Sequence, residues 1–243
     1  MSAAQPKIVV VDYQMGNLRS VRSALEHLGA AAAVSGDPGV LAAADAVILP
    51  GVGAFGDAAR ELTARGLMQP LREAIAAGKP FLGICLGLQL LFESSEESPG
   101  AVGLGVLPGK VVRFPDQPGL KVPHMGWNRT ETAHPNALFP AELTDRERTF
   151  YFVHSYFVAP ADSADVALTC RHGVAFTAAV ARAGRSLNAQ PGPRAPRSDT
   201  PCRLYAVQFH PEKSQTCGLN VLRRFLAAAP TPATASGGQI LPA

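Results

Sequence analysis

The sequence predicts an α/β protein with a mostly parallel central sheet, helices on both faces and an antiparallel extension. In the first half of the chain, short apolar runs rich in β-branched residues alternate with helical runs. Such alternation is typical of a parallel sheet covered on both faces. After Val102 the pattern changes to short strands separated by Gly and Pro turns, which predicts the antiparallel part. A buried strand and a helix close the chain.

The first half is predicted to contain three buried strands, each followed by helical segments. The strands are Lys7–Asp12, Asp45–Leu49 and Phe81–Ile84. The helical runs are Asn17–Leu28, about Ala58–Ala64, Met68–Ala77 and Leu88–Phe92. The first helix has apolar residues at helical spacing and is ended by Gly29, a residue that favours helix termination.

The second half is predicted to extend the same domain. Its short strands, before about Phe176, are Lys110–Arg113, Phe150–Val153 and Val166–Cys170. Leu204–Phe209 returns to a buried strand and Leu219–Ala228 forms a closing helix. We expect one domain over residues 1–229, interrupted at about 183–203 by a flexible surface loop rich in Gly, Pro, Ser and Arg. Residues 230–243, rich in Pro, Thr, Ala and Gly, are expected to be a disordered tail.

The composition excludes several functional classes. With 243 residues, 47% of them hydrophobic, the chain is long enough to bury a sizeable core. A formal charge of +3 gives no reason to expect binding to nucleic acid or membranes. We find no signal peptide, and no uncharged apolar stretch approaches the roughly 20 residues of a membrane span. We therefore expect a reduced, soluble, cytoplasmic protein.

No metal or cofactor is expected. Four widely spaced cysteines without a Cys-x-x-Cys pair predict neither a zinc site nor a disulfide framework. Three of them are expected to be inert: Cys170, Cys202 and Cys217. Four histidines lack metal-ligand spacing and are expected to have structural or surface roles: His124, His134, His154 and His172.

The run Gly83-Ile-Cys85-Leu-Gly87 indicates a nucleophile elbow, because it follows an apolar strand and precedes a helical run. A chain that turns sharply from strand to helix needs small residues two positions before and after the nucleophile. The turn places Cys85 at a helix N-terminus, where free N–H groups and the helix dipole favour the thiolate. The elbow therefore predicts acyl transfer with Cys85 as nucleophile.

His210, directly after the last buried strand, is the candidate general base. Ligands collect at the carboxyl ends of strands in α/β sheets, so His210 is placed where it can accept a thiol proton. Glu212 follows one φ-restricted proline later and can orient the imidazole and stabilise its cation. An isolated His-Pro-Glu run is more often a solvated turn, but together with the elbow it predicts a Cys-His-Glu triad.

Pro50-Gly51-Val52-Gly53, at the end of another core strand, is a candidate wall of an oxyanion hole. Its glycines let the backbone approach a ligand closely. A backbone N–H of Val52 or Gly53 would join that of Leu86, and each donor is worth about 10²–10³ in rate. A plain strand-to-helix turn is the alternative, and the sequence does not decide between them. The glycines also suggest a hole that is unformed at rest.

Two motifs together resemble the class I (triad) glutamine amidotransferases: Gly83-Ile-Cys85-Leu-Gly-Leu-Gln89 and Gln208-Phe-His210-Pro-Glu212. Further stretches resemble the glutaminase subunits of imidazole glycerol phosphate synthases, enzymes of histidine biosynthesis. They are Asp12-Tyr-Gln-Met-Gly-Asn-Leu-Arg-Ser, Pro50-Gly-Val-Gly-Ala-Phe-Gly, Pro123-His-Met-Gly-Trp-Asn, Tyr151-Phe-Val-His-Ser-Tyr and His210-Pro-Glu-Lys-Ser-Gln. The resemblance runs from about Lys7 to Ala228 and implies the class I glutamine amidotransferase fold.

The resemblance implies a role for each matching residue. Cys85 attacks the carboxamide of glutamine and forms a γ-glutamyl thioester with release of ammonia. His210 passes the proton to ammonia and then activates water, while Glu212 holds His210. The positions that match glutamine contacts are Gln89, Ser155, Tyr156 and Glu97.

The resemblance also implies a heterodimer with a cyclase that has a (β/α)8 barrel. Ammonia passes through the cyclase to PRFAR, and the products are imidazole glycerol phosphate and AICAR. No part of this chain resembles such a barrel, so the cyclase is expected to be a separate protein. The surface expected to meet it consists of rim loops, with Trp127 as a candidate anchor: Tyr13–Asn17, Val52, Met125–Asn128 and Lys213–Gln215.

Three alternatives remain at this point. The chain could serve another class I amidotransferase system, act alone as a cysteine hydrolase or peptidase, or be a catalytically dead binding subunit. Gln89 and the order of the His-Pro-Glu motif favour glutamine over peptides. The intact Cys85, His210 and Glu212 argue against a dead subunit.

Overall fold

The structure of the protein is a computed structural model, which describes residues 6–183 and 202–229. Its helices are α1 (Leu18–His27), α2 (Pro38–Ala42), α3 (Phe55–Ala64), α4 (Met68–Ala76), α5 (Leu86–Gln89) and α6 (Gln215–Ala228). The strands of the first half are β1 (Ile8–Val11), β2 (Ala32–Ser35), β3 (Ala46–Leu49), β4 (Phe81–Ile84) and β5 (Ser94–Ser95). The remaining strands are β6 (Gly109–Arg113), β7 (His124–Thr132), β8 (Thr149–His154), β9 (Tyr156–Pro160), β10 (Val166–His172), β11 (Val174–Ala183) and β12 (Cys202–Val207).

The strands of the described residues belong to one mixed sheet. Its parallel part has the order β2-β1-β3-β4-β12. Antiparallel strands continue it in the order β11-β10-β7-β8, and β9 connects β11 to β6. The predicted fold class, a mostly parallel core with an antiparallel extension, is confirmed.

Alternating side chains of the parallel strands build a hydrophobic core on each face of the sheet. Val9 and Val11 of β1 pack on one face, against α2, α3 and α4. Ile8 and Val10 point to the other face, against α1 and α6. Both faces are therefore covered by helices, as the unbroken apolar runs of these strands require.

The structure adds elements that the sequence pattern did not reveal. The edge strand β2 and the short helix α2 lie between the first two predicted strands, and β7, β9 and β11 enlarge the antiparallel part. The helix after Cys85 was predicted at Leu88–Phe92, whereas α5 starts at Leu86 and already ends at Gln89. The closing helix starts earlier, at Gln215.

The predicted insertion lies mostly outside the described residues. At the two ends of the predicted range, Ala183 and Cys202 are paired in the sheet as the ends of β11 and β12. The predicted tail, 230–243, lies wholly outside the described part of the chain. Within that part, no helix is both long and apolar enough to cross a membrane.

The carboxyl ends of three neighbouring parallel strands place the candidate site. Leu49 of β3 pairs with Gly83 of β4, and Ile84 of β4 pairs with Val207 of β12. The segments that follow these strands therefore emerge side by side at one edge of the sheet. They are Pro50–Ala54, the elbow at Cys85 and Gln208–Glu212.

Candidate active site

Cys85 occupies a strained turn between β4 and α5. Its φ of 53° and ψ of −106° are rare for a residue with a side chain. Such positions cost of order 1–3 kcal/mol and persist only where the surrounding structure holds them. Here the Cys85 N–H donates to the Val207 carbonyl at 2.8 Å, which ties the elbow to β12. The residue is buried but not completely, with 7% of its surface exposed.

The two glycines of the elbow are required by close backbone contacts. A Cβ on Gly83 would lie 2.8 Å from the Gly87 carbonyl oxygen. A Cβ on Gly87 would overlap the Leu49 carbonyl oxygen of β3. The tight turn from β4 into α5 is therefore possible only with small residues at both positions.

His210 and Glu212 form a buried pair beside the elbow. The Nδ1 atom of His210 lies 2.8 Å from Oε1 of Glu212, and both side chains are almost fully buried. Burial opposes protonation of His210, but the adjacent Cys85 sulfur, as the thiolate, and the Glu212 carboxylate outweigh it and raise the pKa of His210 to about 10. The pair therefore favours an imidazolium next to the sulfur.

The second ring nitrogen of His210, Nε2, is buried and has no partner at hydrogen-bond distance among the described residues, and the Cys85 sulfur is the group that acts on it. Because Glu212 holds Nδ1, Nε2 is the nitrogen available to exchange a proton with Cys85. The backbone of His210 is held by β8, since its N–H donates to the Tyr151 carbonyl at 3.0 Å. Ser214 links the same two segments, donating to the His210 carbonyl and accepting from the Tyr151 N–H.

The predicted oxyanion donors are not aligned in this structure. The Leu86 N–H donates to the Gly51 carbonyl oxygen at 3.4 Å, so this carbonyl takes up the donor that an oxyanion would need. Val52 and Gly53 lie in the same loop, Val52 with 40% of its surface exposed and Gly53 with a φ of 102°. The geometry agrees with a hole that is unformed at rest.

Tyr13 holds the start of this loop; it was predicted to lie on the surface that meets the cyclase, but its side chain is fully buried. Its buried hydroxyl donates to the Pro50 carbonyl at 2.9 Å. Burial, and with it the negative charge of a Cys85 thiolate, raise the pKa of Tyr13, so the hydroxyl keeps its proton. A Cβ on Gly51 would meet this hydroxyl and would lie 2.8 Å from the Leu86 Cβ. Glycine is therefore required at position 51.

Gln208 escaped the sequence analysis, although it opens the motif that contains His210. Its side chain is fully buried, and its Nε2 lies 3.7 Å from the Cys85 Sγ. Gln89 donates from Nε2 to the Gln208 Oε1 at 3.3 Å and to the Tyr156 carbonyl at 2.9 Å. The sequence did contain a signal for Gln208, because residues two apart in an extended segment point to the same side and Gln208 is two positions before His210.

The four predicted glutamine contacts lie in different surroundings. Gln89 is buried one helical turn after Cys85, while Ser155 and Tyr156 join β8 to β9 and are half-buried. Gln89 and Tyr156 contact each other directly. Glu97 lies elsewhere: its carboxylate accepts from the Phe55 N–H at 2.7 Å. Glu97 thus caps α3, the helix that follows the Pro50–Ala54 loop.

The buried histidines form a neutral hydrogen-bonded chain behind the site. Burial lowers the pKa of His124 to about 4 and that of His154 to about 3. With both rings neutral, His154 Nδ1 donates to the Tyr156 carbonyl at 2.9 Å, so its Nε2 accepts from His124 Nδ1 at 3.1 Å. Asn128 then donates to His124 Nε2 at 3.1 Å. The chain links strand β7 to the carbonyl that anchors Gln89.

Two large apolar side chains of β7 are exposed beside the site. Met125 has 63% and Trp127 has 47% of its surface exposed. Trp127 pairs with Tyr151 across β7 and β8, and Tyr151 holds the His210 backbone. No group of three or more potential ligands suited to a metal ion occurs within residues 6–183 and 202–229.

Comparison with known protein families identifies the family to which this chain belongs. The family model described as glutamine amidotransferase class-I matches residues 9–229. The chain belongs to the class-I glutamine amidotransferase family. The family match spans all three segments that meet at the sheet edge.

Curated relatives of this glutamine amidotransferase are similar over nearly their whole length. One is the imidazole glycerol phosphate synthase subunit HisH of Synechococcus elongatus, 48% identical, with 92% of this chain and 94% of that protein covered. The subunit HisH of Aromatoleum aromaticum is 50% identical, with 92% and 99% covered. The subunit HisH of Rhodopirellula baltica is also 50% identical, with 91% and 97% covered.

Solved structures share the glutamine amidotransferase fold at low sequence identity. A crystal structure of a glutamine amidotransferase superposes with a TM-score of 0.59 at 20% identity, covering 91% of this chain and 98% of that one. PurLQS from Thermotoga maritima superposes with a TM-score of 0.63 at 19% identity, covering 93% and 99%. These likenesses support the fold alone.

Proposed function

We propose that this chain is the glutaminase subunit of an imidazole glycerol phosphate synthase in histidine biosynthesis. It hydrolyses glutamine to glutamate and ammonia, and a partner cyclase consumes the ammonia. The observation that carries the proposal is the meeting of Cys85, His210 and Glu212 at one sheet edge. The 48–50% identity to HisH subunits supports the assignment to this synthase among amidotransferases.

The first half-reaction forms a thioester on Cys85. The thiolate attacks the side-chain carbonyl carbon of glutamine, and the carbonyl oxygen becomes an oxyanion. When the tetrahedral intermediate collapses, the C–N bond breaks and His210 gives its Nε2 proton to the leaving nitrogen, which departs as ammonia. Glu212 stabilises the imidazolium before transfer and keeps the ring oriented through Nδ1.

The second half-reaction hydrolyses the thioester. His210, now neutral, takes a proton from water, and the hydroxide attacks the thioester carbon. The C–S bond breaks, glutamate leaves, and the Cys85 thiolate and the His210 imidazolium are restored. The sum is glutamine plus water giving glutamate plus ammonia, with no cofactor.

The oxyanion requires a rearrangement of the Gly51–Val52 peptide. The carbonyl and N–H of one peptide unit point in opposite directions, so rotating this unit removes the Gly51 carbonyl from Leu86 and turns the Val52 N–H toward it. Of the two donors that the sequence left open, the geometry favours Val52. Tyr13 holds the Pro50 carbonyl, so the rotation is confined to the peptide beyond it.

Substrate recognition is proposed for the groups around Gln89. Its side chain lies against the Tyr156 carbonyl, and Ser155 and Tyr156 form the adjacent strand connection. Glu97 can offer its second carboxylate oxygen to the glutamine ammonium while its Oε2 caps α3. These four assignments are supported by position in the fold and by the matching motifs.

The proposed partner is a cyclase with a (β/α)8 barrel, joined in a heterodimer through which ammonia is channelled to PRFAR. The exposed Met125 and Trp127 offer an apolar surface beside the site, and aromatic side chains are enriched among residues that dominate binding energy. Val52, in the Pro50–Ala54 loop, is also exposed. A partner seated there could bias the Gly51–Val52 peptide.

The proposal is tested by measuring glutamate release from glutamine, with and without the cyclase and its nucleotide ligand. We expect glutamate and imidazole glycerol phosphate in equal amounts from the full complex, and slower glutamate release from the isolated chain. Hydrolysis of peptides or esters, with no activity on glutamine under any of these conditions, would overturn the proposal in favour of a stand-alone cysteine hydrolase.

A further inference from the structure

We propose that Gln208 is a further catalytic residue, whose side-chain amide donates a hydrogen bond to the Cys85 sulfur and holds it as an oriented thiolate. The inference rests on the proposed glutaminase function for its role in turnover. Gln208 directly follows β12, and its side chain is fully buried against the nucleophile. Its Nε2 lies 3.7 Å from the Cys85 Sγ.

The surrounding hydrogen bonds determine which end of the Gln208 amide faces the sulfur. Gln89 presents an NH2 group to Gln208, and this group also donates to the Tyr156 carbonyl. Only the oxygen of the Gln208 amide can accept from it. Turning the amide over would bring two NH2 groups together and leave the sulfur facing an oxygen. The NH2 of Gln208 must therefore point at Cys85.

The backbone on both sides makes this geometry rigid. The Gln208 N–H donates to the Ala178 carbonyl at 2.8 Å, and the Cys85 N–H donates to the neighbouring Val207 carbonyl at 2.8 Å. The donor and the sulfur are thus fixed to adjacent positions of one strand end. A side chain held in this way loses little conformational entropy when the thiolate forms.

An N–H donor distinguishes the thiolate from the thiol. Hydrogen bonds to ionised acceptors are stronger than those to neutral ones, so the Gln208 contact favours the deprotonated sulfur. His210 acts on the same atom as proton donor and acceptor, whereas the amide of Gln208 cannot transfer a proton at neutral pH. The two residues therefore have separable roles.

Gln208 acts at two points of the reaction cycle. Before attack, its N–H stabilises the thiolate that forms the C–S bond. In thioester hydrolysis the C–S bond breaks and the electron pair returns to sulfur, where the N–H stabilises the departing thiolate. No proton passes through Gln208, and the overall balance of glutamine hydrolysis is unchanged.

The test uses two variants of the full chain, Gln208→Met and Gln208→Glu. Methionine keeps the volume and removes the donor, and such volume-conserving changes are tolerated best in cores. Glutamate keeps the shape but places a carboxylate against the sulfur. Thermal unfolding identifies a variant that fails to fold, in which case the other variant carries the test.

The decisive readout is the rate of Cys85 alkylation by iodoacetamide as a function of pH, with the Cys85→Ala variant measuring the background from the other cysteines. We expect the midpoint of the alkylation profile to move upward by about one pH unit in Gln208→Met and further in Gln208→Glu. A residue that only fills space would leave the midpoint unchanged. An unchanged midpoint in a folded variant would overturn the proposal.

Glutamine turnover by the complex with the cyclase is the second readout. We expect kcat to fall by about ten-fold in Gln208→Met, with a smaller change in KM, because the contact acts on the reacting sulfur. A loss confined to KM would contradict the proposal. The alkylation profile does not require glutamine, so it tests the Gln208 contact even if the wild-type chain proves not to hydrolyse glutamine.

Discussion

The backbone N–H of Leu86 donates to the carbonyl oxygen of Gly51 across 3.4 Å. The same N–H is one of the two donors that we propose for an oxyanion next to Cys85. Rotation of one peptide unit exchanges the carbonyl for the Val52 N–H. The resting and active forms of the site would thus differ by a single peptide orientation, at a rim where a partner can reach it.

Gly51→Ala tests whether this loop needs its glycine. A new Cβ would meet the Tyr13 hydroxyl and would lie 2.8 Å from the Leu86 Cβ, so the loop must shift. We expect glutamine hydrolysis by the complex to fall by at least about 10²-fold, the loss associated with one oxyanion donor. Synthesis from added ammonia by the same complex should be unaffected.

The matched control is Gly29→Ala. Gly29 also has a positive φ, 77°, but a Cβ there meets nothing within 4 Å. We expect this variant to lose about 1 kcal/mol of stability and to retain glutamine hydrolysis. Wild-type glutaminase activity in Gly51→Ala would contradict the account of the loop.

Backbone strain at Cys85 predicts an unusual order of stabilities. A φ of 53° with a ψ of −106° is accessible to glycine but strained for any residue with a Cβ. We expect Cys85→Gly to unfold with a free energy about 1 kcal/mol higher than Cys85→Ala, as measured by urea titration. Both variants should lack glutaminase activity. Greater stability of the alanine variant would show that the elbow is unstrained.

Buried His154 predicts a loss of stability in acid. Burial is the main cause that lowers the pKa of His154 to about 3. The hydrogen bond to the Tyr156 carbonyl opposes this shift, and the nearby histidines His124, His172 and His210 add to it. The unfolded chain binds a proton at this histidine below about pH 6.5, whereas the folded chain does not until about pH 3. Stability therefore falls as the pH drops through that window.

His154→Asn removes this titration and keeps an N–H donor for the Tyr156 carbonyl. We expect the slope of unfolding free energy against pH, between about 6.5 and 4, to become shallower by up to about 1.4 kcal/mol per pH unit. The difference in unfolding free energy between the wild type and His154→Asn should be constant above about pH 7.5. An unchanged slope below pH 6.5 would mean that His154 is not a source of acid sensitivity.

Trp127→Ala tests the proposed interface. Trp127 is half-exposed on β7 and pairs with Tyr151, which holds the His210 backbone. We expect its loss to weaken cyclase binding by about 30-fold, equivalent to about 2 kcal/mol, as measured by titration calorimetry.

Val40→Ala is the control for this surface. Val40 is also exposed, at 41%, but it lines a groove with Lys7 and Ile8 at the start of β1, the opposite end of the sheet. Its removal should leave the affinity unchanged. Equal effects of the two substitutions, or none from Trp127→Ala, would move the interface elsewhere.

The elements that the sequence predicted well are those with strong hydrophobic contrast. Strand β4 was predicted with its observed bounds, Phe81–Ile84, because every residue in it is buried and Pro80 precedes it. Strand β2 was missed because Ala32–Ser35 is partly exposed and its small side chains give little contrast. The conformation of β2 comes from its pairing with β1 and not from a strong preference of its own residues.

In the candidate site, too, some residues could be predicted from the sequence and others could not. Cys85, His210 and Glu212 are of residue types that commonly act in catalysis, so the motifs that contain them predicted a triad. Gln208 does not titrate, and its importance arises from contact with a sulfur 123 positions earlier in the chain. Such a contact exists only once β4 and β12 pair.

Glu97 illustrates the opposite difficulty. The resemblance to the family implied a glutamine contact, and the structure places its carboxylate on the Phe55 N–H at the start of α3. A cap supplied from 42 positions away cannot be read from local sequence, because α3 lacks a capping side chain of its own. One carboxylate can serve both purposes, since its two oxygens are separate acceptors.

The most direct test of the central claim compares the nitrogen donors of the complex. Wild-type and Cys85→Ala chains are each combined with the cyclase, and imidazole glycerol phosphate is measured with glutamine or with an ammonium salt. We expect Cys85→Ala to abolish synthesis from glutamine and to leave synthesis from ammonia at the wild-type rate. Glutamine-dependent synthesis by Cys85→Ala, or loss of both reactions in a properly assembled complex, would contradict the central claim.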